Sequence, residues 1–233
     1  MVRSRIRMNK LIAFGSSPIM KHDKTIMPYP QIIANQLGLA YNSQAKPLSS
    51  NSKIARKVLS YDCQDALVLV SWTSTTRTEF RTEHGWTSTN STTHQSEFEK
   101  HWYQGPARWE YTGVSITLKE IVLVQSFLKS CNIPYMFLFD NNEITHSQLY
   151  QHPDEYLQSI IKLIDQSKIL LFEGQGFVPW CESNGYERQD GNHFETRAHE
   201  QAADLISAHF GPWSSEFLSP GSSRPLGPKA EFG

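Results

Sequence analysis

Residues 66–72 read Ala-Leu-Val-Leu-Val-Ser-Trp, and this run decides the fold. Apolar side chains follow one another without the alternation of a strand that keeps one wet face. A short run of this kind belongs to a strand covered on both sides, as in a parallel sheet flanked by helices. Residues 10–14 (KLIAF) and 134–139 (PYMFLF) have the same character, and 40–42 form a weaker strand. Residues 169–172 are either one more short strand or the end of a helical region. Helical spacing of apolar residues lies between these runs, at 30–39, from Ser50 to Leu59 with Ser50 or Asn51 as cap, at 117–131, at 153–164 and at 194–210. Strands thus alternate with helices, and the order predicts a three-layer α/β/α sandwich with a mostly parallel sheet. Ligands of such sheets bind outside the carboxyl ends of the strands. The segments after Phe14 and after Val70 are therefore the first places to look for chemistry.

Outward from that frame, 233 residues suit one domain with an insertion and a tail. Residues 9–212 carry the α/β pattern. Residues 1–8, with Arg3, Arg5 and Arg7, read as a flexible N-terminal extension. Residues 213–233 read as a disordered tail or fusion remnant. Residues 73–112 contain no convincing periodic element and are too long for an ordinary connection, so they read as an insertion bordering the site. Trp86, Trp102, Tyr103, Trp109 and Tyr111 crowd this polar stretch; they either stack on ligand faces such as sugar rings or pack the insertion onto the body.

The net charge of −1 and a pI near 6.8 favour neither nucleic acid nor anionic membrane. Cys63, Cys131 and Cys181 stand apart with no zinc or disulfide spacing, and His22, His94, His101, His146 and His152 are scattered without ligand spacing, so neither metal nor cofactor is expected. The apolar start at 11–14 is too short for a signal-peptide core, and no run reaches the roughly 18 residues of a membrane span. The expectation is a soluble cytoplasmic protein, with virion association left open.

Three clusters carry candidate chemistry. Gly15-Ser16-Ser17 follows the first strand, which places a serine at the carboxyl edge of the sheet; the same residues also serve as a plain turn. Asp190-Gly191-Asn192-His193 precedes the last helix, and an Asp three residues ahead of a His is suited to orient the imidazole as a base; the same spacing also serves as a helix-starting turn. Thr73 to Arg77 follows the strongest strand. Its hydroxyls and Arg77 either line a polar pocket or hold a loop through a carboxylate such as Glu79.

Taken in order, G-x-S after strand one and D-x-x-H before the final helix resemble the SGNH (GDSL-like) hydrolase family over residues 9 to 210. Pro47-Leu48-Ser49-Ser50-Asn51 sits at the family's second block. The run SWTSTTRTEF, 71–80, sits at the third and is most similar to a subgroup common in phage genomes. The resemblance implies a flavodoxin-like sheet and a serine esterase acting on a small acyl ester, such as an O-acetyl on a carbohydrate. It implies Ser17 as nucleophile, His193 as base and Asp190 as its partner. Ser17, Leu48, Ser49, Asn51, Thr73 and Arg77 are implied around the oxyanion and substrate. Three positions depart from the pattern. Ser16 replaces the usual Asp. Leu48 stands where the family has glycine, although a leucine does not easily take positive φ. Thr73 stands where the family has an Asn donor. These departures keep a second reading in view, a catalytically weak glycan- or protein-binding module on the same scaffold.

Overall fold

The computed structural model describes residues 8–20, 26–83, 85–89, 97, 101, 111–145, 154–189 and 193–217. Strand β1 (Lys10–Phe14) leads into a 3-10 turn (Ser17–Ile19), then α1 (Tyr29–Gln36), β2 (Ala40–Ser43), α2 (Asn51–Ser60) and β3 (Ala66–Trp72). A hairpin of β4 (Thr78–Thr82) and β5 (Gly85–Thr89) comes next, followed by α3 (Thr112–Ser130) and β6 (Tyr135–Phe139). The chain closes through α4 (Glu155–Leu163), α5 (Phe177–Ser183), a ribbon of β7 (Arg188–Gln189) and β8 (His193–Phe194), and α6 (Thr196–Phe217).

The main sheet has the order β2-β1-β3-β6 and is parallel throughout. Ile169 adds a single parallel bridge to Phe137. Because successive side chains of a strand face opposite ways, every strand of the centre feeds two cores. Leu11, Ala13, Leu67, Leu69, Met136 and Leu138 pack against α1, α5 and α6. Ile12, Phe14, Val68, Val70, Trp72 and Phe137 pack against α2, α3 and α4. All seven residues of β3 are buried, as its continuous apolar run requires. The sandwich expected from the sequence is therefore the fold observed.

Several local features differ from expectation. The insertion at 73–112 is not without structure, since β4 and β5 pair in register from Thr78–Thr89 to Thr82–Gly85. Their Ser/Thr-rich sequence hid them because no apolar face marks the strands. The hairpin is fastened to α2 by Arg56, which pairs with Glu79 at 2.9 Å and lies 4.7 Å from the Trp86 ring centre. Tyr111 packs against the second core, while Trp102, Tyr103 and Trp109 lie outside the described residues. Helix α6 continues past Pro212 to Phe217, beyond the boundary where the tail was expected to begin, and Met8 packs on the first core. Helix α5 was not foreseen at all. Its seven residues include Pro179 and are too few for a helical period to declare itself. Among the described residues, no helix is long and apolar enough to cross a membrane.

The entry to α5 is closely constrained. Gly176 receives the Asn142 Oδ1 on its N–H at 2.7 Å, and a Cβ added there would stand 2.6–2.8 Å from the Asn141 backbone. Gly176→Ala is expected to lower the unfolding free energy in urea by about 2 kcal/mol or more, because backbone rather than a flexible side chain must give way.

Candidate functional site

The carboxyl ends of β1, β2, β3 and β6 lie along one edge of the sheet, and four loops leave from it. The switch point, where the chain order reverses, falls at β1, between β2 and β3. Ser16 and Ser17 occupy this position. Gly15 is required there by contact. A Cβ on it would meet Ile19 Cδ1 at 2.7 Å and the Ser71 carbonyl at 3.0 Å. Ser16 caps the 3-10 turn and is fully buried, whereas Ser17 is half-buried at its first position.

Each neighbouring loop is tied to this turn. The loop after β2 runs alongside it, with the Lys46 N–H donating to the Gly15 carbonyl at 3.2 Å and the Ser49 hydroxyl donating back to the Lys46 carbonyl at 2.9 Å. Leu48 lies between these anchors with φ of 53° and half of its side chain exposed. Leu48 thus takes the positive φ that a leucine does not adopt easily. The loop holds Leu48 in the left-handed region at a cost of about 1 kcal/mol or more.

The loop after β3 is fixed by Asn51. Its Oδ1 accepts from the Thr73 N–H at 2.8 Å, and its Nδ2 donates to the Thr73 carbonyl at 3.0 Å and to Thr117 Oγ1 at 2.9 Å. The Asn51 amide and the Thr73 backbone are therefore mutually satisfied, and Asn51 acts as a brace at the strand end. Arg77 does not reach Glu79, which belongs to Arg56. It turns back toward the first strand and donates to the Ser16 hydroxyl. Glu143, from the loop after β6, accepts from Ser74 Oγ at 2.8 Å and from the Thr75 N–H at 2.5 Å.

The β7–β8 ribbon delivers the last component. Strand β8, with His193 half-buried and Phe194 buried, packs against the 3-10 turn that begins at Ser17. Asp190, Gly191 and Asn192 lie outside the described residues. The structure thus brings together the elements bearing Ser17, His193, Leu48, Ser49, Thr73 and Arg77.

A chain of buried polar groups beneath this edge was not foreseen. Asp140, immediately after β6, accepts from Ser71 Oγ at 2.6 Å, and the Tyr29 hydroxyl donates to Ser71 Oγ at 3.4 Å. His199 on α6 is buried against Tyr29 and Phe177, its Nδ1 accepting the Tyr29 N–H at 3.4 Å. Burial pushes the Asp140 carboxyl up to about 6, with the Ser71 hydrogen bond, the Arg77 charge and the Thr73 hydroxyl opposing the rise. The carboxyl end of a buried parallel strand, the position that pointed to Ser17, points equally to Asp140 at the end of 134–139.

Burial pushes the Cys63 thiol up to about 11 and raises that of Cys181, so neither offers a thiolate near neutrality. Among the described residues, no group of three or more His, Cys, Asp or Glu is placed to hold a metal ion. A cavity of about 530 Å³, lined in part by Tyr61, Cys63, Asp65 and Cys131, opens at the opposite, amino-terminal end of β3 and β6, away from the strand ends where α/β sheets bind ligands.

No family model matches the chain, and no curated protein matches it in sequence. Among solved structures, the fold is similar to that of the psychrotrophic esterase EstA from Pseudoalteromonas sp., with a TM-score of 0.50 and 8% identity over 89% of this chain and 99% of that one. A member of the lipolytic protein G-D-S-L family from Veillonella parvula DSM 2008 matches with a TM-score of 0.45 and 11% identity, over 87% of this chain and 98% of that one. The parallel sheet flanked by helices is the SGNH-hydrolase α/β/α architecture.

Asp140 gives a stability prediction. Its pKa is raised from 3.8 to about 6, so the folded state holds this proton more tightly than the unfolded chain. Its contribution is most favourable below the unfolded value and is lost as pH rises from about 4 to about 6, a change of about 3 kcal/mol. Asp140→Asn removes this dependence. The stability of the variant relative to the parent, measured by urea unfolding, is expected to rise between pH 4 and pH 7 and to level off above it.

Proposed function

We propose that this SGNH-fold protein is a serine esterase that hydrolyses a small acyl ester, with an O-acetyl group on a carbohydrate as the favoured substrate. The observation that carries this reading is the packing of the His193 strand on the Ser17 turn, at the carboxyl edge of the sheet and across the switch point. A nucleophile and a base delivered by different loops to the same edge are what acyl transfer needs. The fold shared with EstA, an esterase described in a structure inhibited by monoethylphosphonate, supports the same reading.

In this reading His193 removes the Ser17 proton as Oγ attacks the ester carbonyl, and Asp190 orients the imidazole. The tetrahedral oxyanion is met by the N–H of Ser17 and by an N–H of the Leu48–Ser49 loop, with Thr73 and Arg77 bordering the substrate. The C–O bond then breaks, the departing alcohol takes the proton from His193, and a water activated by the same imidazole releases the acid from the acyl-enzyme. The raised thiol pKa values of Cys63 and Cys181 leave serine as the better nucleophile.

One observation favours the alternative, a catalytically weak glycan- or protein-binding module. Thr73 stands in place of an Asn donor, and its backbone N–H is committed to Asn51. A missing oxyanion donor costs on the order of 10²–10³ in kcat. The two readings separate on p-nitrophenyl acetate. The esterase reading expects measurable turnover that Ser17→Ala and His193→Ala each reduce by about 10³-fold or more with the fold intact by circular dichroism. Equal turnover in parent and both variants removes it, and glycan-array binding by an inactive parent supports the module.

A further inference from the structure

The loops around the Ser17 turn hold a cation that the protein itself leaves without a carboxylate. Arg77 is half-buried, with its backbone N–H donating to the Ser74 carbonyl at 3.3 Å and its guanidinium donating to the Ser16 hydroxyl. That hydroxyl is neutral and engages one of the five N–H donors a guanidinium carries. The carboxylates of the same loops are engaged elsewhere. Glu79 gives both oxygens to Arg56, at 3.3 and 2.9 Å. Glu143 gives one oxygen to Ser74 Oγ and the other to the Thr75 N–H. Asp140 bonds Ser71 at 2.6 Å; it is near enough to feel the Arg77 charge but forms no ion pair with it. A charge felt at a distance satisfies no N–H group. Among the described residues, the Arg77 guanidinium therefore has one hydrogen bond and no carboxylate partner.

A half-buried guanidinium in that condition costs the free protein solvation that no counter-charge returns. Holding Ser16 does not call for it, because any neutral donor would serve. The remaining donors form a planar fork that matches the paired oxygens of a carboxylate or a phosphate. The place of the fork sets where such an anion lies. Ser16 is the fully buried neighbour of Ser17, and consecutive Cα atoms are about 3.8 Å apart, so a group held by Arg77 stays within a sugar ring's width of the serine. Lys46, exposed on the loop after β2, adds a second positive charge beside the same turn; its N–H donates to the Gly15 carbonyl, and it forms no ion pair among the described residues. We propose that the ligand of this edge is an acylated anionic sugar, with Arg77 taking a carboxylate or phosphate borne on the same ring as the ester. The proposal rests on the Ser17 turn being the substrate site, and it narrows the carbohydrate proposed there.

Three sugars carrying one O-acetyl group at the same position and differing only at C6 supply the test: those of glucose, glucuronate and glucose 6-phosphate. Calorimetric titration into the full-chain Ser17→Ala variant, with circular dichroism equal to the parent's, reads binding without turnover. The glucuronate or the phosphate ester is expected to bind about 10- to 100-fold more tightly than the glucose ester, the scale of a charge-assisted pair. Whichever binds more tightly identifies the anion as carboxylate or phosphate. Adding Arg77→Met is expected to abolish the preference, and Arg77→Lys to keep part of it, since the charge remains without the fork. Equal binding of the three sugars, binding of none, or a preference that survives Arg77→Met overturns the proposal. Turnover of p-nitrophenyl acetate by the parent without any anion preference removes this proposal and leaves the esterase reading. An anion preference in a protein whose parent is inactive on p-nitrophenyl acetate does the reverse.

Discussion

Both faces of β3 are sealed, one by α1, α5 and α6 and the other by α2, α3 and α4, and the rest of the molecule depends on that burial. A strand with no wet face must satisfy its backbone through neighbours on both edges, so β1 and β6 flank it in parallel. Polar side chains cannot be accommodated along its length. They collect where it ends, and Ser71 and Thr73 are the first of them. The candidate chemistry of the described residues meets these two positions or the loops bound to them. Gly15 abuts the Ser71 carbonyl, Asp140 takes the Ser71 hydroxyl, and Asn51 holds the Thr73 backbone.

This edge is also where the structure tolerates unfavourable features. Leu48 keeps a left-handed backbone that glycine would adopt without strain, and Asp140 keeps a carboxylate in surroundings that favour its neutral form. Each is destabilising by itself, and each lies beside the Ser17 turn or one residue link from it. Positive φ also occurs at Asp65 and Asn132, before β3 and β6, so what sets the carboxyl edge apart is the buried carboxyl of Asp140.

The architecture was legible because it depends on continuous burial, which is written in consecutive residues. The runs 10–14, 66–72 and 134–139 each became strands of the sheet. Ser17 and His193 were singled out because each sits in a short cluster at the end of an element, and the structure packs those two elements together. The hidden features depended on contacts distant in sequence. Asn51 stood among the residues expected around the oxyanion and substrate, and the bridge its amide makes to Thr73 and Thr117, positions 22 and 66 residues away, was not readable. Arg77 had two open roles, and its contact with the Ser16 hydroxyl, 61 residues away in sequence, had no local pattern to announce it. Asp140 was not singled out, since one Asp after an apolar strand has no pattern to mark it. The φ of Leu48 is imposed by loops anchored on Lys46 and Ser49, which no single-residue preference records.

The account stands on Ser17 and His193 forming one reactive centre at the carboxyl edge of the sheet. A crystal structure of the protein after reaction with a fluorophosphonate tests this most directly. The account predicts phosphorus bonded to Ser17 Oγ, a phosphoryl oxygen accepting the Ser17 N–H, and a His193 ring nitrogen within hydrogen-bond reach of the adduct. Phosphorus on any other residue, or a His193 ring directed away from the adduct, would contradict it.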